Sequence, residues 1–338
     1  MSEIRLDRMS NQYVLIAPER LHRPNLGSVY QKKREVTCPF CEGNEALTPK
    51  EIFSLKSSDS RGASWKTRVV PNLYKAVQIE LEQHSKIEGI FESIAGVGAH
   101  EILIDSPCHD CDMSDLDLPN IEDWLRTLII RSDDLHKDAR LVSLSIFKNF
   151  GLNAGATQDH PHTQILALPI MPKNEISFLQ RNLEYYRAHG RGIIEDIVQN
   201  EFNAKSRIID TVGSFVAYCP YASAYPFEVM IAPTKNISTL KLCSRKEVVD
   251  LSVILKNVFT MLQSQLGRFD YNMYFHIAPL NENFENELYM PYMDKNYRFN
   301  IRITPRIYRL GGFEVATGML INSVSPEESA ELLRGMSH

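Results

Sequence analysis

Two kinds of hydrophobic pattern alternate along the chain and predict its secondary structure. In some stretches apolar and polar residues alternate and β-branched residues are frequent, which is typical of strands joined by hairpin turns. In others the apolar residues recur at spacings of three and four, as at Val248, Leu251, Leu255 and Val258, which is typical of an amphipathic helix. Turn residues divide these stretches into two similar series.

Each half of the chain predicts the order β-β-α-β-β. The first half has strand patterns at residues 68–77, 100–105 and 141–147 and around His160, with a helix pattern near 121–137. The second half has strand patterns at residues 215–225, 227–232, 271–277 and 299–303, with a helix pattern near 245–266. A connecting helix is expected over residues 175–203. These elements predict an α+β fold of antiparallel sheets with helices packed on one face.

Composition and charge narrow the possible partners. The 338 residues are 43% hydrophobic, which is enough for the core of two medium domains or one large domain. The net charge of −5 predicts no general affinity for nucleic acid or an anionic membrane, so local cations have to hold any bound phosphate. The first residues lack a signal-peptide pattern, and no apolar stretch is long enough to span a bilayer. We therefore expect a cytoplasmic protein.

The segment around residues 147–169 carries the polar residues that most strongly indicate catalysis. In an extended strand His160, His162 and Gln164 lie on the same face, because successive side chains alternate. Three polar side chains among apolar neighbours are costly to bury unless each has a partner. A polar surface strand or a metal-binding pair also explains this pattern when it is taken alone.

The loop before this strand favours a phosphate site. Gly151 and Gly155 allow close approach of the backbone to a ligand. Asn149 and Thr157 offer short side chains of the kind that bond phosphate oxygens. The loop therefore strengthens the interpretation that the strand that follows it carries catalytic residues.

Histidine chemistry fits this layout. A neutral imidazole attacks phosphorus when an acceptor holds its other nitrogen, because this bond fixes the tautomer and stabilises the cation formed on attack. We therefore predict that His162 is a nucleophile. Gln164, two residues further on, is placed to hydrogen-bond the transferred phosphate.

A Cys-x-x-Cys motif predicts half of a tetrahedral metal site. In a reducing compartment such close pairs indicate a metal before a disulfide. Two further ligands have to come from elsewhere, and the set that we favour is Cys38, Cys41, His109 and His160. Cys108 and Cys111 flank His109, and one of them is an alternative ligand in its place. A redox-active pair and two buried free thiols are the other interpretations.

Two arginines near the N-terminus suit a diphosphate. Arg20 and Arg23 lie three residues apart in a turn-rich segment, and guanidinium groups bind phosphate oxygens in pairs. Solvated surface arginines are the alternative interpretation. Arg68, Asn72 and Tyr74 are candidates for the wall and edge of a base pocket.

These motifs together resemble the galactose-1-phosphate uridylyltransferase branch of the histidine-triad superfamily, including its ADP-glucose phosphorylase-like relatives. The similarity covers nearly the whole chain. Its pieces are the turn at 18–24, the Cys38-Pro-Phe-Cys41 motif, the Ser106-Pro-Cys-His109 turn, the His160-Pro-His162-Thr-Gln164 signature, and segments 220–228 and 312–322. The His-Pro-His signature with its glycine loop is highly specific.

The resemblance implies two histidine-triad-like halves and a homodimer. Residues 1–172 would be the catalytic domain with the zinc site, and residues 173–338 would complete the sugar pocket. It implies Zn2+ on the four ligands already favoured, a nucleophilic His162, and a catalytic signature completed by His160 and Gln164. The expected substrate-binding residues are Arg20, Arg23, Asn72, Asn149, Gly155, Thr157 and Gln164.

Family behaviour implies ping-pong transfer. A nucleotide sugar of the UDP-glucose type gives its monophosphate to His162, and a sugar 1-phosphate then takes it. The runner-up is an adenylyl transfer from ADP-glucose with inorganic phosphate as acceptor. A zinc-containing nucleotide-binding protein without catalysis is the second alternative. Hydrolysis is less favoured, because hydrolases of this superfamily carry a third histidine where this chain has Gln164.

Two departures from the family pattern narrow the prediction. The second-half strand carries Asn300 and Arg302 where uridylyltransferases commonly carry histidines, and His276 is the main histidine left, so we expect no second metal. Gly318 and Val324 stand where the best-known members hold hexose hydroxyls, and neither side chain forms hydrogen bonds. These two positions argue against galactose as the natural substrate.

Overall fold

The computed structural model describes residues 2–22, 37–57, 64–281 and 292–335. The described strands are β1 (Glu3–Asp7), β2 (Gln12–Ile16), β3 (Phe53–Lys56), β4 (Trp65–Pro71), β5 (Ser85–Glu88), β6 (Phe91–Ile94), β7 (Ala99–Ile104), β8 (Ser143–Phe150), β9 (His162–Leu168), β10 (Ile208–Val212), β11 (Phe215–Tyr218), β12 (Val229–Pro233), β13 (Tyr271–His276), β14 (Asn300–Pro305) and β15 (Leu320–Asn322). The described helices are α1 (Leu118–Leu135), α2 (Lys173–His189), α3 (Ile193–Ala204), α4 (Arg245–Leu266), α5 (Met293–Asn296), α6 (Gly312–Thr317) and α7 (Pro326–Arg334).

Within these ranges ten strands form one antiparallel sheet that both halves of the chain share. Its order is β10-β11-β12-β14-β13-β8-β9-β7-β4-β3. The halves meet where β13 pairs with β8, with Tyr271 opposite Phe150. The predicted β-β-α-β-β order is confirmed, because α1 lies between β7 and β8 and α4 lies between β12 and β13. Each half also has an outer strand, β3 or β10, that the patterns did not predict.

Helices α1 and α4 pack together on one face of the sheet, and this confirms the predicted fold class. Trp124 and Leu128 of α1 share one buried apolar cluster with Leu255 and Phe259 of α4 and with Ile165 of β9. Burial of apolar area is the main stabilising term for such a layer. Because Ile165 points into this layer, the alternate residues of β9 point to the opposite face.

The single connecting helix predicted over residues 175–203 is wrong, because the chain breaks there into α2 and α3. Gly190 ends α2 in the left-handed region, with φ of 70°, and its N–H donates to the Tyr186 carbonyl. Gly192 lies so close to the Asn296 carbonyl that an added Cβ would be 1.9 Å from its oxygen. The hydrophobic periodicity continues across this break, so the periodicity did not predict two separate helices.

Helices α2 and α3 cover the second half of the sheet on the face opposite α4. Phe178 of α2 and Val198 of α3 pack against Tyr218 of β11 and Met230 of β12. On the first half of the sheet, this face instead carries Phe40, from the Cys-x-x-Cys segment. No helix within the described residues combines the length and apolar character needed to cross a membrane.

Candidate active site and metal centre

The four predicted metal ligands come together beside the start of β9. The ligand atoms of the set Cys38, Cys41, His109 and His160 all lie within 4.8 Å of one another. The Nδ1 atom of His160 is 3.7 Å from each cysteine Sγ, and the Nδ1 atom of His109 is 3.4 Å from the Cys41 Sγ. Two sulfurs and two imidazole nitrogens are the donor set of a tetrahedral structural zinc site. The cluster can therefore hold a metal ion.

The hydrogen bonds of His160 orient its ring for this role. Its Nε2 donates to the Ser106 carbonyl at 2.8 Å, which leaves the lone pair of Nδ1 directed at the two sulfurs. Burial raises the pKa of the Cys38 thiol to about 12, so the thiolate that a metal needs has to be stabilised by the cation itself. These residues fit a bound divalent metal.

The alternative in which Cys108 or Cys111 replaces His109 is wrong for this structure. The two cysteines are bonded to each other as a disulfide, and neither belongs to the ligand cluster. Cys38 and Cys41 are free thiols in a cluster that could hold a metal, whereas the expectation that close cysteine pairs indicate a metal is wrong for the second pair. The disulfide closes a short ring around His109.

His162 is the first residue of β9, and its side chain lies on the face of the sheet opposite α1 and α4. Its Nδ1 donates to the His160 carbonyl at 2.9 Å, so the neutral ring carries its lone pair on Nε2. Among the described residues nothing bonds Nε2. The side chain is only 6% exposed, and this burial lowers the pKa of His162 below its usual value. The ring is therefore neutral and nucleophilic near neutral pH.

One residue thus links the candidate metal cluster to His162. The His160 ring belongs to the ligand cluster, while its carbonyl oxygen accepts the proton of His162 Nδ1. Phe40, between the two cysteines in sequence, packs edge-on against the His162 ring with 5.4 Å between centroids. A metal bound to His160 and the Cys38–Cys41 turn would therefore also fix the direction of the His162 ring.

Other predicted site residues lie around this centre. The Gln164 Oε1 is 3.0 Å from His100 Nε2, and the Asn72 amide nitrogen is 3.1 Å from the same atom. The Asn149 Oδ1 accepts from the Asn272 amide at 2.8 Å, which leaves the Asn149 amide nitrogen for a ligand. The Thr157 and Gly155 positions are exposed in the loop before β9.

The predicted phosphate-binding and base-pocket residues have no described contact with His162. Arg20 lies in a short 3-10 helix, Pro18–His22, close enough to Tyr308 for its charge to act there, and no described contact joins it to His162. Arg23 lies outside the described residues.

The candidates for a base pocket are placed differently. Arg68 is buried and pairs with Glu51 at 3.2 Å, so its guanidinium already has a partner. Tyr74 is exposed on the surface.

A buried ion pair on the side of the sheet opposite the His162 ring was missed by the sequence analysis. Lys148 of β8 and Asp105, which follows β7, are both almost fully buried and bonded to each other. Asp105 also accepts from the Thr163 hydroxyl at 2.8 Å. The pair therefore ties β8, β9 and the His109 loop together from the side opposite the His162 ring. A lysine within an apolar strand was the only sequence signal for it.

We expect Gly151→Ala to destabilise the protein more than Gly155→Ala, although both glycines lie in the loop before β9. Gly151 has φ of 82°, and an added Cβ would lie 2.0 Å from the Asp270 Oδ1, whose carboxylate holds Asn153. Gly155 has φ of 83°, with nothing within 4 Å of an added Cβ. The change at Gly155 should cost about 1 kcal/mol from backbone strain alone, and the change at Gly151 roughly 3 kcal/mol. Urea unfolding measures both, and equal losses would contradict this packing.

A cavity of about 480 Å³ lies beside β13 and β14, and His162 is not among the residues that line it. His276 lines it and pairs with Glu175, with 2.9 Å between Nδ1 and Oε1. Arg302 also lines it and bonds Glu228 at 3.1 Å and Asp7 at 3.3 Å, so two carboxylates offset its charge. His276 and Arg302 therefore each have carboxylate partners within the described part of the chain.

Comparison with known proteins identifies the family of this chain. The family model described as Galactose-1-phosphate uridyl transferase, N-terminal domain, matches residues 1–172, and the C-terminal domain model matches residues 179–338. ADP-glucose phosphorylase from Arabidopsis thaliana is 32% identical over 341 residues, covering 99% of this chain and 93% of that relative. Galactose-1-phosphate uridylyltransferase from Thermotoga maritima is 27% identical, covering 99% of this chain and 98% of the relative.

Solved structures give the same result. A crystal structure of an ADP-glucose phosphorylase from Arabidopsis thaliana with bound ADP-glucose matches with a TM-score of 0.82 and 30% identity, over 99% of both chains. A uridylyltransferase structure matches with a TM-score of 0.74 and 25% identity, over 100% of this chain and 98% of the other. The chain therefore belongs to the galactose-1-phosphate uridylyltransferase family of nucleotidyl-transferring enzymes.

Proposed function

We propose that this protein transfers a nucleoside monophosphate from a nucleotide sugar to a phosphate acceptor through a covalent bond to His162. The observation that carries this proposal is the hydrogen bond from His162 Nδ1 to the His160 carbonyl, which leaves the Nε2 lone pair without a partner among the described residues. Gln164 lies two residues further on along the same face of β9. An ordinary structural histidine would have both ring nitrogens satisfied by the protein.

The reaction proceeds in two displacements at one phosphorus. The Nε2 lone pair of His162 attacks the α-phosphorus, a P–N bond forms, and the bond from phosphorus to the bridging oxygen breaks, which releases the sugar 1-phosphate. The ring then carries a positive charge, which the His160 carbonyl stabilises through the Nδ1 proton. An oxygen of the acceptor phosphate attacks the same phosphorus, and the P–N bond breaks. The Gln164 amide bonds the phosphate oxygens as charge moves onto them.

Zn2+ is the ion that we propose for the Cys38, Cys41, His109 and His160 cluster. Its two thiolates and two imidazoles match zinc better than the harder oxygen-preferring cations. When bound, the ion would act structurally, by fixing the His160 backbone that orients His162. The chemistry at phosphorus belongs to the residues of β9.

Two donor and acceptor pairs are candidates for the substrates. The first is UDP-glucose with a hexose 1-phosphate, as the many uridylyltransferase relatives suggest. The second is ADP-glucose with inorganic phosphate, which is supported by the 32% identity to an ADP-glucose phosphorylase. Gly318 ends α6 with φ of 71°, and Val324 is buried in the core, so neither supplies a hexose hydroxyl contact. The lack of polar side chains at these two positions favours an acceptor whose sugar hydroxyls are not bound there, or an acceptor with no sugar.

Covalent trapping tests the function and separates the two pairs. Incubation with nucleotide sugar labelled at the α-phosphate should give an acid-labile, base-stable label on His162, located by peptide mapping. A uridylyltransferase takes label from UDP-glucose and loses it to a hexose 1-phosphate. A phosphorylase takes label from ADP-glucose and loses it to inorganic phosphate. Reversible nucleotide binding with no covalent label from either donor would instead indicate the non-catalytic alternative.

Assembly, domain roles and location stay predictions. We infer a homodimer, because several large apolar side chains are exposed, among them Ile90 at 92%, Val315 at 76% and Phe91 at 72%. The molar mass in solution decides this. We further propose that residues 1–172 carry catalysis and residues 173–338 complete the sugar pocket, in a cytoplasmic enzyme.

A further inference from the structure

His100 is a half-buried histidine of β7 that bonds Gln164 and that the sequence analysis did not place in the site. Its Nδ1 is 3.1 Å from the Ala76 backbone nitrogen, and its Nε2 is 3.0 Å from the Gln164 Oε1. The ring therefore bridges the segment after β4 and the catalytic strand β9.

The Ala76 contact determines which nitrogen of His100 carries the proton. A backbone N–H only donates, so Nδ1 has to be the acceptor, and the neutral ring then carries its proton on Nε2. That proton is donated to the Gln164 Oε1. The Asn72 amide nitrogen also lies 3.1 Å from Nε2, but the Asn72 Oδ1 already accepts from the Tyr74 N–H. Two donors form no hydrogen bond, so Gln164 remains the acceptor.

The orientation of the Gln164 amide follows from this tautomer. If the amide were turned over, its NH2 group would face the Nε2–H of His100, and one hydrogen bond would become a contact between two donors. With the oxygen directed at His100, the NH2 group is directed away from it. Among the described residues, none accepts a hydrogen bond from that NH2 group. It is therefore left to donate to a ligand.

We propose that His100 is a positioning residue that holds the Gln164 amide with its NH2 group directed at the transferred phosphate. This inference rests on the proposed function, because it assigns the amide a phosphate partner. The chain of donors runs from the Ala76 N–H through the imidazole to the Gln164 amide and the phosphate oxygens. A phosphate offers only acceptors, so an amide presented by its oxygen would repel it.

Replacement of His100 by glutamine or by asparagine, whose side chains differ in length, tests whether His100 positions the Gln164 amide. Glutamine places its amide nitrogen near the former Nε2, and asparagine reaches only as far as the former Nδ1. We expect His100→Asn to lower the single-turnover rate of His162 labelling at saturating nucleotide sugar by roughly 10-fold to 100-fold. We expect His100→Gln to keep the rate within about 3-fold of wild type. The concentration for half-saturation should change little, because the NH2 bond strengthens as charge develops.

A double-mutant cycle shows whether His100 acts through Gln164. The variant with His100→Asn and Gln164→Ala should be no slower than Gln164→Ala alone, because the amide to be oriented is then gone. Rate losses that multiply would overturn the inference. It would also be overturned if His100→Asn transferred as fast as wild type.

A second measurement does not depend on activity. In wild-type protein with ¹⁵N-labelled histidine, NMR should find His100 in the Nε2–H tautomer, and Gln164→Ala should shift its Nε2 resonance. An Nδ1–H tautomer, or an unshifted resonance, overturns the proposed contact even if transfer is active. If no nucleotide sugar labels the protein, the proposed function fails, and with it the assigned phosphate partner, while the NMR result still decides the contact between His100 and Gln164.

Discussion

His162→Asn is expected to lower nucleotidyl transfer by roughly 10⁴-fold or more, the largest effect of any single change. Asparagine places an amide N–H near the former Nδ1, so the bond to the His160 carbonyl can be kept while the attacking nitrogen is removed. The rate of covalent labelling, measured with the preferred nucleotide sugar, checks this. Metal content and melting temperature should stay close to wild type, because His162 is not among the metal ligands.

His84→Gln is the matched control for this change. His84 is an exposed histidine in the segment before β5, and its ring has a local hydrogen bond to the Glu82 carbonyl. The control should label at the wild-type rate. Retained transfer in His162→Asn would identify another nucleophile. Loss of both metal and fold would instead mean that His162 supports the metal centre.

Cys38→Ser is expected to cause the largest loss of stability, on the order of 5 kcal/mol, together with loss of the metal. Cys38 is only 6% exposed, and it supplies one of the four donors that bridge the segment after residue 37, the His109 loop and the start of β9. These segments are far apart in sequence, and apart from the small apolar cluster around Phe40 a bound metal would be the main link between them. Metal analysis and thermal unfolding with and without a chelator measure both effects.

Cys243→Ser serves as the control for this second change. Cys243 is a partly buried free thiol that packs against the main core and lies outside the ligand cluster. It should keep its metal and lose about 1 kcal/mol at most. Wild-type protein treated with chelator should unfold like Cys38→Ser. If Cys38→Ser keeps wild-type stability and metal content, the cluster is not a structural metal site.

The local elements and the donor residues were predictable from the sequence. The alternation and spacing of apolar residues depend only on neighbours along the chain. They therefore predicted the helices α1 and α4 and the common face of His162 and Gln164. The motif Cys38-Pro-Phe-Cys41 and the histidines His109 and His160 identified the four side chains that the structure brings within 4.8 Å. Few types of side chain bind metals or attack phosphorus, so the number of candidate ligands and nucleophiles in a sequence is small.

The contacts between distant segments were decided only by the tertiary structure. Nothing in the pattern of β8 or β13 indicated that these strands pair and join the two halves into one sheet. The bond between Cys108 and Cys111 and the position of His100 beside Gln164 were likewise not predicted. Hydrophobic periodicity reports which side of an element is buried, but not which element covers it. The pairing of strands, and every hydrogen bond that crosses it, therefore appears only when the chain has folded.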